Sequence, residues 1–119
     1  MTVNINNIEE ILESELRISR QEAALFVLIV YKGRMDVKLI SRMLNWSLDD
    51  ADRIAKSLVS RGMIIGIAKT EYESLHPRFA VTNRYRTRCE EDHIIFKKNV
   101  KVDNLGMLLE GPYNNARIK

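Results

Sequence analysis

Arg53 and Lys56, with Ser57 and Ser60 beside them, recur at three- and four-residue steps within the run Leu48–Arg61. Cations and hydroxyls presented on one helix face donate hydrogen bonds to phosphate oxygens and to base edges, so a nucleic acid is the partner their chemistry suits. Arg34, Lys38, Arg42 and Lys69 are further cations placed to meet a phosphate backbone, and Arg78 and Arg84 would extend the footprint. Residue types suited to catalysis are sparse. His76 and His93 lie far apart in sequence, and Cys89 sits among apolar neighbours at helical spacing, where a thiol behaves as a small buried hydrophobe. There is no glycine-rich phosphate loop, no Cys or His pair at ligand spacing and no nucleophile elbow. No enzyme, metal or cofactor is expected.

The elements that must position Arg53 and Lys56 are bounded by clear signals. Asp36 and Ser47 are N-cap residues for Val37–Leu44 and for Leu48–Arg61, and Asp50 stands at the reciprocal position of a capping box. Asn45-Trp46 makes the corner between the two helices, and Gly62 closes the second, because glycine enters a left-handed C-terminal position almost without strain. Leu48, Ala51, Ile54, Ala55, Leu58 and Val59 form an apolar stripe, which leaves Asp49, Asp52, Arg53, Lys56 and Ser60 outward. Helix, tight turn, helix and then the strand-like Met63-Ile64-Ile65 is the order of a helix-turn-helix with a wing. The same spacing also suits two ordinary amphipathic helices of a small α protein. Trp46 is expected to plug the corner rather than stack on a base.

Around this unit, Ile8, Ile11, Leu12 and Leu16 mark a short acidic helix, and Ser19-Arg20-Gln21-Glu22 is a capping box. The segment behind the box, Ala23 to Val30, is apolar nearly all round and predicts a central core helix. Ile64, Ile65 and Ile67 suit a strand, to which Glu71–Leu75 can return. The connection at Lys69-Thr70 lacks a tight-turn dipeptide, and Glu71 and Glu73 lie close by, so a strong contact between this wing and DNA is not expected.

Pro77 suits a first helical position, and no breaker follows until after Lys98. A helix of that length spans about 30 Å, more than a small core can cover. Phe79, Tyr85, Cys89, Ile95 and Phe96 are therefore expected to make a homodimer, with folding back onto the same domain as the alternative. Asp103 is read as the cap of a last short helix ended by Gly111-Pro112, and Tyr113–Lys119 as a tail that is loose or laid on a neighbour. The fold class read from these patterns is mainly α with a small β-hairpin: a winged helix-turn-helix domain over residues 1–76, and a C-terminal helical arm for dimerisation over 77–119.

At 119 residues with 45% hydrophobic and 29% charged content, the chain has the composition of one soluble globular domain. A lone cysteine forms no internal disulfide, the apolar run Ala23–Tyr31 is about half the length of a membrane span, and Met1-Thr2-Val3-Asn4 does not resemble a signal peptide. A cytoplasmic protein without membrane contact is the expectation. The net charge of +3 is unevenly spread: residues 1–19 carry one Arg against four Glu, while residues 76–101 carry seven basic groups against three acidic. Such a basic segment suits phosphate, and it also suits a solvated helix face.

Through Ile8–Leu12, Ser19–Ala23, Ser57–Ile64 and the His76-Pro77-Arg78 junction into a long helix, the chain resembles the winged-helix domain of the TrmB-like archaeal transcription regulators. The resemblance covers roughly the first hundred residues. It implies sequence-specific binding of double-stranded DNA as a dimer, with the second helix of the motif in the major groove. Two departures stand out. The helix start reads Ser47-Leu48-Asp49-Asp50-Ala51-Asp52, where the family tends to be polar or basic, and carboxylates there face phosphates unfavourably. Many members also carry a C-terminal effector domain for sugars; the chain ends before one fits, and sugar sensing is not expected. The rival expectation is a protein-interaction adaptor of the same fold, engaging a partner such as the transcription machinery through Asp49, Asp50, Asp52 and the C-terminal arm, without DNA.

Overall fold

The computed structural model describes residues 7–117; residues 1–6 and 118–119, with the expectations that fall on them, lie outside the described residues. Nine elements follow in order among those residues: α1 (Ile8–Leu16), α2 (Arg20–Lys32), β1 (Met35–Asp36), α3 (Val37–Leu44), α4 (Leu48–Ser60), β2 (Ile64–Ala68), β3 (Glu71–Ser74), α5 (Pro77–Glu91) and α6 (Val100–Asn115). The architecture is mainly helical with a small three-stranded antiparallel sheet.

Helix α2 is the axis of the core, as its all-round apolarity predicts. The capping box that starts it is complete: Ser19 Oγ accepts from the Glu22 amide at 3.0 Å, and the Glu22 carboxylate accepts from the Ser19 amide at 2.8 Å. Leu25, Phe26 and Ile29 are fully buried, and α1, α4, α6 and β3 all pack on this helix.

The turn between α3 and α4 is built from short-range bonds. Asp36 caps α3 through Leu39 N at 2.9 Å, Asn45 takes the left-handed conformation at φ 58°, and the Trp46 amide reaches back to Ser41 O at 3.0 Å. Ser41 Oγ closes the corner by donating to Trp46 O at 2.6 Å, and Trp46 packs against the core edge as expected. Ser47 caps α4 through Asp50 N at 3.1 Å. The Asp50 carboxylate does not complete a capping box; it turns outward to Arg53.

The sheet has the order β1-β3-β2. Strand β1 was not readable in the sequence, since two residues carry no periodicity, yet it pairs Met35 with Tyr72 and Asp36 with Glu71. Between β2 and β3 the register slips at Gly66/Ala68, the bulge leaving Ile67 as the extra residue. The hairpin turn is tied to the start of α3 by the bond from Val37 N to Thr70 O at 2.9 Å. The hairpin therefore does not project freely.

The C-terminal expectations need three corrections. First, the long helix stops at Glu91: His93 is left-handed at φ 57°, and the Ile94 amide bonds Cys89 O at 2.8 Å, which is a six-to-one helix closure. Asp92 anchors that end to Arg17 of α1 and Arg88 of α5 at 3.3 and 3.1 Å. Second, α6 begins earlier and runs later than expected. Asn99, not Asp103, caps it by accepting from Lys101 N and Val102 N, while its amide donates to Glu15 at 2.8 Å. Pro112 lies inside the helix, whose last turn is held by Arg117 bonding Tyr113 O and Glu73, both at 2.9 Å. The described part of the tail thus lies on its own chain.

Third, no arm protrudes. Helices α5 and α6 pair along their length and fold back on α1 and α2. At their crossing a Cβ on Gly106 would stand 3.0 Å from Arg78 Cα, so a larger residue there would have to push the two helices slightly apart. Ala80, Val81, Tyr85, Cys89, Val102, Leu105 and Leu109 share one core with α1, α2 and α4, so the 76/77 boundary does not divide two bodies. The radius of gyration, 13.7 Å, matches the compact limit of about 13.5 Å for this length.

Candidate functional site

Helix α4 meets its apolar expectation on four positions, Ala51, Ile54, Ala55 and Leu58, all buried, with Leu48 and Val59 exposed at the stripe's edges. What seats it is a contact the sequence did not reveal. Glu22 of α2, only 4% exposed, accepts from Ser57 Oγ at 2.5 Å and from Arg61 Nε at 2.7 Å while still closing its own capping box. Burial pushes the Glu22 carboxyl up, but the Arg61 hydrogen bond, the Ser19 amide, the Ser57 hydroxyl and the Arg61 charge together hold it below its ordinary value. The partners are separated by 35 and 39 residues, and the capping box already accounts for Glu22 in sequence. Ser57 is accordingly corrected from a groove-facing hydroxyl to a rivet between α4 and α2.

On the outer face, Arg53 and Lys56 are well exposed, as expected, but neither is free. Arg53 pairs with Asp50 at 3.2 Å and Lys56 with Asp52 at 2.9 Å. The Asp52 hydrogen bond and charge raise the Lys56 pKa above its ordinary value. Both pairs are solvent-facing, where water screens the attraction, so a phosphate can take over either cation. Ser60 is exposed in the last turn and Asp49 in the first.

The remaining cations fall into two groups. The Thr70 carbonyl bonds the Val37 amide at the start of α3, so Lys69 and Lys38 each adjoin a residue of that bond, and Arg42 lies one helical turn beyond Lys38. Lys38, Arg42 and Lys69 are exposed and make no ion pair with any described residue. Arg34 is exposed beside the Glu73–Arg117 pair, at the other end of β1. Arg78 is bound to Glu110 at 3.3 Å. Arg84 must be corrected outright: it is 2% exposed, and its guanidinium donates to Leu16 O at 2.9 Å, Arg17 O at 3.2 Å and Glu91 at 3.2 Å. It caps the C-terminal carbonyls of α1 and reaches no phosphate.

Two of the expected dimer contacts are corrected in the same way. Tyr85 and Cys89 are buried in the chain's own core, a consequence of α6 folding back. Phe96 packs on the Tyr85 ring at 5.8 Å and beneath the Arg86 guanidinium at 4.9 Å, remaining partly exposed. Phe79 and Ile95 stay 58% and 79% exposed. They are joined by Val100, Met107 and Leu108, spaced seven and eight residues apart along one face of α6. The sequence cluster Leu105, Met107, Leu108 and Leu109 does not by itself tell inside from outside: Leu105 and Leu109 are buried, Met107 and Leu108 are not.

Among the described residues no three His, Cys, Asp or Glu side chains gather to hold a metal, and no helix is long and apolar enough to cross a membrane. None of the protein-family models, curated proteins and solved structures compared with the chain matches it.

Proposed function

We propose that the chain is a winged-helix regulator, of the TrmB-like kind its sequence resembles, that binds double-stranded DNA with α4 in the major groove. The observation that carries this reading is the set Lys38 and Arg42 on α3 and Lys69 in the hairpin turn that the Val37–Thr70 bond ties to the start of α3, all exposed and without ion-pair partners among the described residues. A set of that kind suits a phosphate backbone. The element order supports it too, since a strand before the first motif helix pairing with the hairpin brings the turn beside that helix. On this reading Arg53 and Lys56 exchange Asp50 and Asp52, respectively, for phosphate or base edges, and Arg34 lies at the margin. A second copy of the chain covers Phe79, Ile95 and the Val100–Met107–Leu108 face.

Titrating mixed-sequence duplex DNA at rising salt tests the proposal. Binding that weakens steeply with salt, and weakens further in a Lys38→Glu, Arg42→Glu variant, is expected; no binding at low salt removes DNA as the partner. The adaptor reading is favoured by one observation, the exposed Leu48 beside Asp49 at the start of α4. An apolar side chain with a neighbouring carboxylate suits a basic protein surface better than a phosphate. A protein partner retained after nuclease treatment and lost in Leu48→Lys would favour the adaptor.

A further inference from the structure

A cavity of about 410 Å³ opens at the seam between the last turn of α4 and the middle of α5, walled almost entirely by polar groups: Ser60, Arg61, Asn83, Arg84, Thr87 and Glu91. Its back wall is fixed. Arg84 is held by two α1 carbonyls, and both Glu91 oxygens lie 3.2 Å from Arg84 Nη1. Its front carries solvent-facing donors without a partner among the described residues. Arg61 spends Nε on Glu22, and its two terminal nitrogens have no partner among the described residues. The Asn83 amide, 3.3 Å from where a Cβ on Gly62 would lie, and the Ser60 hydroxyl are likewise unspent.

The C-terminal end of α4 is unfavourable for an anion, and although Ser57 O, Leu58 O and Val59 O already accept from Arg61, Met63 and Gly62 at 3.0–3.1 Å, the Arg61 charge has to outweigh what remains. The cavity therefore has donors at the front and acceptors behind: the Glu91 carboxylate, shared with Arg84, and the Thr87 hydroxyl oxygen, whose proton goes to Asn83 O at 3.1 Å. That arrangement suits a ligand with an oxyanion at one end and hydroxyls at the other.

We propose that the α4–α5 cavity binds a small hydroxylated oxyanion, its anionic end on Arg61, Asn83 and Ser60 and its hydroxyls on Glu91 and Thr87, and that occupancy regulates α4. The regulatory half rests on the DNA reading above; the binding half does not. The link is Arg61, which the ligand shares with Glu22. Drawing that guanidinium into the cavity loosens the Glu22–Ser57–Arg61 contact that seats α4 on α2, so ligand and DNA oppose each other, by the same factor in both directions.

The test uses the whole chain, isotopically labelled, titrated with glycerol phosphate, inorganic phosphate and glycerol. Saturable amide shifts at Ser60, Gly62, Asn83 and Thr87 are expected, tightest for glycerol phosphate and absent with glycerol. Asn83→Asp, isosteric but without the amide donor and adding a negative charge, should weaken the binding by about tenfold or more, with an unchanged unfolding temperature showing that the fold is kept. Shifts confined to Lys38, Arg42 and Lys69, or equal affinity in Asn83→Asp, overturn the site. In the second arm glycerol phosphate should lower duplex affinity by about fivefold or more relative to sulfate at matched ionic strength, in wild type but not in Asn83→Asp. Ligand binding without that drop overturns the regulation alone. If no duplex binds without ligand, the DNA reading fails, and with it the regulatory half, while the first titration still decides the site.

Discussion

Two carboxylates define the behaviour of single residues here. Glu22 gathers a capping bond, a hydroxyl and a guanidinium, and its depressed pKa fixes the sign of its effect. The stability it supplies is fully present above the carboxyl value of an unfolded chain, about 4.3, and is lost as pH falls through the lower folded value. Glu22→Gln should therefore cost about 1–3 kcal/mol at neutral pH, measured by urea unfolding, and should unfold with a shallower loss of stability below pH 4.5 than the wild type. An equally steep acid limb in both proteins would mean that Glu22 carries no special burden. Asp52 works on the outer face. Because it sits on Lys56 and faces the same direction, Asp52→Asn should tighten duplex binding by a few-fold at low salt and by less at high salt. Unchanged affinity at all salt concentrations would place the DNA off this face of α4. Arg84 is the residue whose type misleads most: its cationic character in sequence suggests phosphate, while two of its bonds hold the end of α1 and the third pairs with Glu91 of its own helix. Arg84→Met should cost about 1–3 kcal/mol of stability by calorimetry, since it orphans the buried Leu16 carbonyl and the part-buried Arg17 carbonyl.

At the scale of elements, local signals were legible and long-range ones were not. Ser19, Asp36 and Ser47 announce their helices because a cap acts within three residues, and the apolar stretch of α2 announces burial because no face of it suits water. The end of α5 gave no such notice. Its left-handed residue is His93 rather than glycine, and what anchors the turn is Asp92, whose partner Arg17 lies 75 residues away. Strand β1 is two residues long and owes its existence to β3. Within the candidate site, the exposure of Arg53 and Lys56 was readable from the helix period, whereas the Ser57–Glu22 rivet and the Lys38–Lys69 neighbourhood depend on how α2 and the hairpin meet α3 and α4. Gly106 is a further element-scale feature hidden in sequence. Gly106→Val should push α6 off α5 at Arg78 and lose about 1–3 kcal/mol by thermal unfolding; a neutral result would show that the two helices can part at no cost.

For the molecule as a whole, the fold-back of α5 and α6 alters what a dimer would use. The buried Tyr85 and Cys89 are spent inside, and what remains outward is Phe79, the Ile95 loop and the outer face of α6. Exposed apolar groups at helical spacing are costly to leave in water, which favours a second copy there. Light scattering should give twice the chain mass, returning to one chain mass in a Met107→Lys, Leu108→Lys variant that keeps its helical spectrum. A monomer at all concentrations would leave that face for another partner. The central claim concerns a different surface, the cations Lys38 and Arg42 of α3, the helix that packs on α4, and Lys69 of the hairpin turn. It is tested most directly by duplex affinity as a function of salt in wild type and in the triple charge reversal of those residues. The expected result is a log–log slope that becomes shallower by about 0.9 for each phosphate contact removed. Identical slopes and affinities in the two proteins, or no duplex binding by either, would contradict it.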